Sequence, residues 1–213
     1  MTCELLRKAQ FGFYLVRHGQ TAGNANRYLG WTDEPLDEIG KQQARQIGRR
    51  LGHERIDAIY SSPFSRAVAT ASPLAERCGL RVVNRDALKE LNFGDYQGQA
   101  KADRRLRIRV EHAERPVPGG ESLSDVATRL SPFIADLCEQ LKAGSRVVVV
   151  THFWTARVLL GTLRALPITT MMSQLDYKPA VGSVLAVTVA LRADHSMSVS
   201  GAWPITLSDA GEH

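Results

Sequence analysis

Short apolar runs alternate along the chain with longer stretches in which apolar residues recur every three or four positions. The runs Phe13–Val16, Ile56–Tyr60, Arg81–Val83 and Val147–Val150 are rich in β-branched and aromatic side chains and predict strands. Val147–Val150 has no polar alternation, the pattern of a strand covered on both faces. Val184–Leu191 and Met197–Trp203 predict a late strand pair turning across Ala193-Asp194. Between these runs the spacing predicts helices. Asp37 reads as the N-cap of a helix reaching Leu51, with Ile39, Ile47 and Leu51 inward. Ser62-Pro63 reads as an N-cap and first-turn proline opening a helix toward Cys78. Pro73 inside it predicts a kink or a weakened turn. Leu123, Val126, Leu130, Phe133 or Ile134, Leu137 and Leu141 step by three and four, an amphipathic helix that Gly144 ends. Phe153 to Leu163 predicts a further helix.

Strands alternating with helices predict an α/β fold with a largely parallel sheet. No long linker, repeat or low-complexity segment interrupts the pattern, so residues 1–213 read as one domain. The least regular part, Gly94 to Glu121, fits a small helical cap on the sheet.

Composition narrows the class. A chain of 213 residues can build one substantial core, and 44% apolar with 23% charged residues excludes a disordered chain. The longest apolar runs fall far short of the ~20 residues a membrane helix needs. The opening MTCELLRKAQ lacks the apolar centre of a secretory signal. A cytoplasmic location and no membrane partner are therefore expected. Cys3, Cys78 and Cys138 are too few and too scattered for a disulfide framework or a metal knuckle, and read as reduced thiols. The net charge of +5 admits either nucleic acid or a small anionic substrate. The densest basic stretch, Lys101 to Arg115, contains no aromatic stacking residue. That favours a solvated helix face or an anion-attracting rim over nucleic acid.

Two apolar runs end alike, in Val16-Arg17-His18 and Val150-Thr151-His152. A third, Tyr60-Ser61-Ser62-Pro63, leads toward Arg66. Ligands of open α/β sheets bind beyond the carboxyl ends of the strands. Were these three strands parallel, Arg17, His18, Arg66 and His152 would meet in one cleft. Glu90, in ALKELNFGDYQG, could reach the same edge. Arginine forks match phosphate oxygens, and helix N-termini add oriented N–H groups. A histidine can carry a covalent intermediate and a nearby carboxylic acid can protonate a leaving oxygen. The set suffices for phosphoryl transfer without a metal. Zinc on His18 and His152 would lack a third ligand at suitable spacing. Plainer readings stand beside these: a surface ion pair for Arg17, core packing for His18 and His152, and a stem covering its helix for Arg66. Glu90 has a plainer reading as a loop carboxylate and Asn24 as a turn residue. His53, His112, His195 and His213 carry no pattern and read as surface. Gly119 to Ser122 reads as a turn and N-cap.

Six stretches in order carry a resemblance: LVRHGQTAGN (Leu15–Asn24), GWTDEPLDEIGKQQA (Gly30–Ala44), YSSPFSRAVATA (Tyr60–Ala71), ELNFGDYQG (Glu90–Gly98), PGGESL (Pro118–Leu123) and VVVTH (Val148–His152). Together they resemble the histidine phosphatase superfamily, the phosphoglycerate mutase-like family. That resemblance implies a three-layer α/β/α fold with a mostly parallel central sheet and no cofactor or metal. It implies that His18 is the phosphorylated nucleophile and that Arg17, Arg66 and His152 hold the phosphoryl oxygens. Glu90 would protonate the leaving group and then help activate water. Asn24, with Gln20 and Thr21 beside it, would add hydrogen bonds to the phosphoryl group, and Gly19 would let the backbone pass close to the pocket. A neutral attacking nitrogen on His18 predicts a backbone acceptor on its other nitrogen.

Three departures stand out: Gln20 where Glu is frequent, Gln97 where Glu is frequent, and Phe153 where a small residue is usual. Three activities stay open. A phosphomonoesterase acting on a small phosphorylated metabolite is favoured over a 2,3-bisphosphoglycerate-dependent mutase, because NFGDYQG lacks the HYG stretch and the insertion usual in the mutases. A catalytically silent phosphate-binding relative is the third. Dimers are common in the superfamily, so a homodimer is an open expectation. Substrate choice is expected to lie with Asn26–Trp31 and Gly94–Glu121.

Overall fold

The computed structural model describes residues 11–103, 108, 110–194 and 196–207. The basic residues Arg104, Arg105, Arg107 and Arg109, and with them much of the predicted basic stretch, lie outside the described residues, as do Cys3, His195 and His213.

Six strands form one mixed sheet in the order β3-β2-β4-β1-β5-β6. They are β1 (Phe11–Arg17), β2 (Ala58–Ser61), β3 (Val82–Asn84), β4 (Val147–Thr151), β5 (Val184–Leu191) and β6 (Met197–Ile205). The first four run parallel, and β5 and β6 are added antiparallel on the β1 side. Strand pleating sends alternate side chains to opposite faces. Phe13, Leu15, Val147 and Val149 therefore join one core cluster, while Tyr14, Val16, Val148 and Val150 join the other. Helices α3 (Leu123–Lys142) and α4 (Phe153–Leu163) cover the first face; α1 (Glu38–Leu51) and α2 (Ser65–Cys78) cover the second. A one-turn helix α5 (Met171–Gln174) precedes β5. The architecture is α/β/α, as expected, and all five residues of β4 are buried, as a strand covered on both faces requires.

Local signals explain most boundaries. The Asp37 side chain accepts from the Gly40 N–H and opens α1. Ser122 and Asp125 cap each other's backbone at the start of α3, and Gly144 follows its end at φ +82°. Pro73 and Pro132 are both accommodated within continuous helices.

Four expectations are corrected. Ile39 is 53% exposed; Gly40, Ala44, Ile47 and Leu51 form the inner face of α1 instead. A Cβ on Gly40 would stand 2.0 Å from the Gln20 carbonyl oxygen, so this close backbone approach sets the helix's rotation. Helix α2 starts at Ser65, not behind Ser62-Pro63, because Ser62 is engaged with His152; Asp33 accepts from the Ser65 N–H and hydroxyl at 2.8 Å. His112 is buried, its ring edge-on to Tyr96. Within 94–121, the described residues hold short 3₁₀ turns at Gly94–Tyr96 and Val110–Ala113, not a longer helix.

Candidate active site

The parallel register aligns three strand ends. Arg17 on β1 sits opposite Thr151 on β4. The His18 N–H donates to the Thr151 carbonyl at 3.0 Å, and the Ser62 N–H to the Val150 carbonyl at 3.0 Å. His18, Ser62 and His152 thus leave the sheet side by side. Beyond them lies a cavity of about 300 Å³ whose lining includes Arg17, His18, Asn24, Arg66, Glu90 and His152. The predicted convergence is what the chain does: residues far apart in sequence share one cavity.

The imidazoles of His18 and His152 are both buried, with ring centroids 5.0 Å apart. His18 Nδ1 lies 2.7 Å from the Gly19 carbonyl oxygen. A carbonyl only accepts, so Nδ1 carries the proton and Nε2 keeps its lone pair. The predicted backbone acceptor is therefore present, one residue along. The Gly19 loop is itself fixed, its N–H donating to Thr70 Oγ1 at 2.9 Å. A Cβ on Gly19 would stand 2.7 Å from the Gly40 carbonyl oxygen, so this glycine serves the approach of α1. His152 shares a 2.8 Å hydrogen bond with the Ser62 hydroxyl through Nε2, and its buried Nδ1 has no protein partner.

Burial, then the charges of Arg66 and Arg17, hold the His18 imidazolium form well below its ordinary range; the Gly19 carbonyl opposes this only in part. His152 is pushed the same way by burial, Arg66 and His18. Both rings are thus neutral bases at neutral pH.

The guanidiniums are held by carbonyls. Arg66 donates to Thr32 and Gly30 oxygens, each at 2.7 Å, and Arg17 to the Pro179 oxygen at 2.7 Å. The Nε atoms of both are buried without a partner. Burial lowers both from the ordinary guanidinium value, with Glu90 opposing.

Glu90 sits against the first turn of α4. Its Oε1 accepts from the backbone N–H groups of Leu91 (2.9 Å), Trp154 (3.1 Å) and Thr155 (3.3 Å). Oε2 is the less engaged oxygen, with one long contact of 3.4 Å to the Trp154 N–H. The family model described as histidine phosphatase superfamily, branch 1, matches residues 13–189. The chain belongs to the histidine phosphatase superfamily.

Relatives within the superfamily cover more than one chemistry. A Yersinia pestis (strain Pestoides F) protein named probable phosphoglycerate mutase GpmB is 36% identical over 163 residues, 72% of this chain and 75% of that one. Mycobacterial glucosyl-3-phosphoglycerate phosphatase superposes with a TM-score of 0.76 at 29% identity, over 89% of this chain and 95% of that one. A Bacillus stearothermophilus structure, YhfR, reaches 0.75 at 26% identity, over 89% and 95%.

Two residues expected at the phosphoryl group do not line the cavity. The Gln20 amide donates to Asp37 at 3.1 Å, and Thr21 exchanges hydrogen bonds with Asn24. Asn24 does line it. Arg27, Tyr28 and Leu29 line it from within Asn26–Trp31 and Lys101 from within Gly94–Glu121, the segments expected to govern substrate choice, whereas Phe93 and Trp154 carried no such signal. Lys101, from the edge of the basic stretch, donates to the Asn24 carbonyl, and burial and Arg17 lower its ammonium below its ordinary value. Gln97, in the position left in doubt, accepts from the Trp31 N–H at 2.5 Å and so ties two rim segments together. Arg129 was also invisible in the sequence. Its guanidinium pairs with Glu121 at 2.8 Å and donates to the carbonyls of Ala87, Lys89 and Glu90, so it anchors the backbone that carries Glu90. Among the described residues, no three His, Cys, Asp or Glu side chains gather as a metal cluster, and no helix is long and apolar enough to cross a membrane.

Proposed function

We propose that this chain is a phosphomonoesterase that works through a phosphohistidine on His18. The observation that carries the reading is the pinned tautomer. A buried neutral imidazole presents Nε2 to a cavity shared with two guanidiniums and a second neutral imidazole.

In the first step the phosphoryl oxygens lie against Arg17, Arg66 and His152, whose unpartnered Nε and Nδ1 atoms suit them as ligands. His18 Nε2 attacks phosphorus in line, the N–P bond forms and the P–O bond to the alcohol breaks. Glu90, in its protonated form, gives its proton to the departing oxygen. In the second step water attacks the same phosphorus. Glu90 takes a proton from that water, the N–P bond breaks, and inorganic phosphate leaves with His18 neutral again. Two guanidiniums offset the charge spread over the phosphoryl oxygens in both transition states.

The name of the 36% identical relative favours a second reading, in which a bound phosphoglycerate rather than water accepts the phosphoryl group. Four aromatic residues, Tyr28, Phe93, Phe153 and Trp154, line the cavity beside Arg27 and Lys101, and their apolar faces favour the phosphatase reading. The test is direct. Inorganic phosphate should be released from p-nitrophenyl phosphate, and His18→Ala should lower that rate by about a thousandfold or more. Acid-labile phosphate should be trapped on the wild-type protein. Interconversion of phosphoglycerates without net phosphate release would overturn the assignment in favour of the mutase.

A further inference from the structure

Part of the cavity is walled by rings, with Arg27 and Lys101 in the same lining. Tyr28 and Phe93 meet at a centroid distance of 5.0 Å, and Phe153 and Trp154 meet edge-on at 5.2 Å. All four line the cavity, with Leu29 between. Phe153 is one of the departures seen in the sequence, and its ring borders the cavity.

These walls are braced. Arg157 is buried, and its guanidinium lies 5.7 Å from the centroids of both Phe153 and Trp154. Its donors are spent on the carbonyls of Tyr177, Met171 and Met172. Arg17 stacks on Phe153 from the phosphate side at 5.3 Å. On the opposite wall, a Cβ on Gly30 would stand 2.9 Å from Phe93, so that segment packs directly on the ring. Rings fixed in this way bind without a further ordering cost.

Position decides which part of a substrate they would meet. The Trp154 backbone N–H holds the Glu90 carboxylate, and the same residue lines the cavity. One dipeptide thus sets both the proton donor and the wall beside it. Whatever is bonded to the oxygen that Glu90 protonates must lie along these rings.

We infer that the leaving-group half of the site takes an alcohol bearing an apolar ring, so that the substrates are phosphomonoesters of ring-bearing alcohols rather than of small acyclic acids. This rests on the phosphatase reading given above and adds the substrate class to it. Burying one phenyl-sized group against such walls is worth about tenfold to a hundredfold in kcat/KM.

The experiment compares 2-phenylethyl phosphate with ethyl phosphate, whose leaving alcohols are of similar basicity, so that proton donation does not differ. The wild type should prefer the phenyl ester by about tenfold or more in kcat/KM. Trp154→Ala and Arg157→Met should bring that ratio toward one, whatever they do to the absolute rates. Calorimetry with phenylphosphonate and methylphosphonate reads the same preference in Kd without turnover, and on the wild type alone should either variant fail to fold. A ratio near one in both measurements, with p-nitrophenyl phosphate still hydrolysed, overturns this inference and leaves the phosphatase. Failure to hydrolyse p-nitrophenyl phosphate overturns the phosphatase instead, and the phosphonate ratio then still reports on the ring site.

Discussion

Two buried neutral imidazoles make this protein's stability depend on pH in a defined window. In the unfolded chain each histidine takes up a proton near pH ~6.5. In the folded chain His18 and His152 resist protonation far below that, first because they are buried and then because Arg66 and Arg17 stand beside them. The sign follows. Above the unfolded value neither state binds the proton, and these residues give no pH dependence. As pH falls below it, the unfolded chain binds two protons that the folded chain refuses, so stability is lost, by about 1.4 kcal/mol per histidine per pH unit. Between about pH 7 and about pH 5.5 the loss is about 1.3 kcal/mol for each ring and about 2.5 kcal/mol for both. Urea unfolding at the two pH values gives the total, to which other groups also contribute. The double variant His18→Asn, His152→Asn removes only the part argued here, so its loss should be smaller than the wild type's by about 2.5 kcal/mol. Equal losses in the two proteins would sink the reasoning. They would mean that the native rings titrate normally, and a normally titrating His18 would not be the neutral nucleophile that its Gly19 contact implies.

Other consequences are open to measurement. Ser62→Ala removes the hydrogen bond to His152 Nε2 and should cost about 1–3 kcal/mol of stability in urea titrations, with kcat lowered more than KM is raised. Arg129→Met leaves Glu121 without its cation and takes one donor from each of the carbonyls of Ala87, Lys89 and Glu90, the last two of which keep the Thr155 hydroxyl and the Trp31 indole. It should destabilise by about 3 kcal/mol by urea unfolding and slow alkyl phosphates more than p-nitrophenyl phosphate, whose good leaving group needs little proton donation. Inorganic phosphate at about a hundred times its Kd should stabilise the wild type by about 2.7 kcal/mol in thermal unfolding, and Arg66→Met should abolish most of that gain. Gly40→Ala should destabilise strongly in the same assay, since its new methyl would stand 2.0 Å from the Gln20 carbonyl oxygen.

The sheet and the charged end of the site were legible because period and register are local properties. A run such as Val147–Val150 states its own burial, and a histidine placed two residues beyond it inherits the strand's end. What the sequence could not express were contacts whose partners are distant. Ser62-Pro63 has the local chemistry of a helix start, yet the Ser62 hydroxyl goes to His152, ninety residues away, and Asp33 serves the helix instead. Ile39 fits the apolar stripe of α1, but the Gly40–Gln20 approach turns the helix past it. Gln20 and Thr21 lie within the motif's most specific stretch. Their side chains nevertheless fasten the loop, to Asp37 and Asn24, rather than face the cavity. The aromatic walls come from three short segments with no shared periodicity, so nothing in the spacing announces them.

The charged end of the cavity illustrates a trade between stability and function. Arg17 Nε, Arg66 Nε and His152 Nδ1 are buried with no protein partner. A buried polar group left unsatisfied costs about 1–3 kcal/mol, more if charged. Evolution normally removes such groups, and a hydrophobic replacement of similar shape would often stabilise the fold. Here the three residues line one cavity, and the carbonyls of Gly30, Thr32 and Pro179 lock the guanidiniums in place before any anion arrives. A tetrahedral dianion between them supplies the missing acceptors at once and needs no rearrangement to do so. A fixed field of this kind favours most the species with most charge on its equatorial oxygens, which is the transferring phosphoryl group. Burial first, and then the same crowding of cations, keeps His18 neutral. Filling this end with apolar side chains would therefore raise the unfolding free energy while removing the anion site.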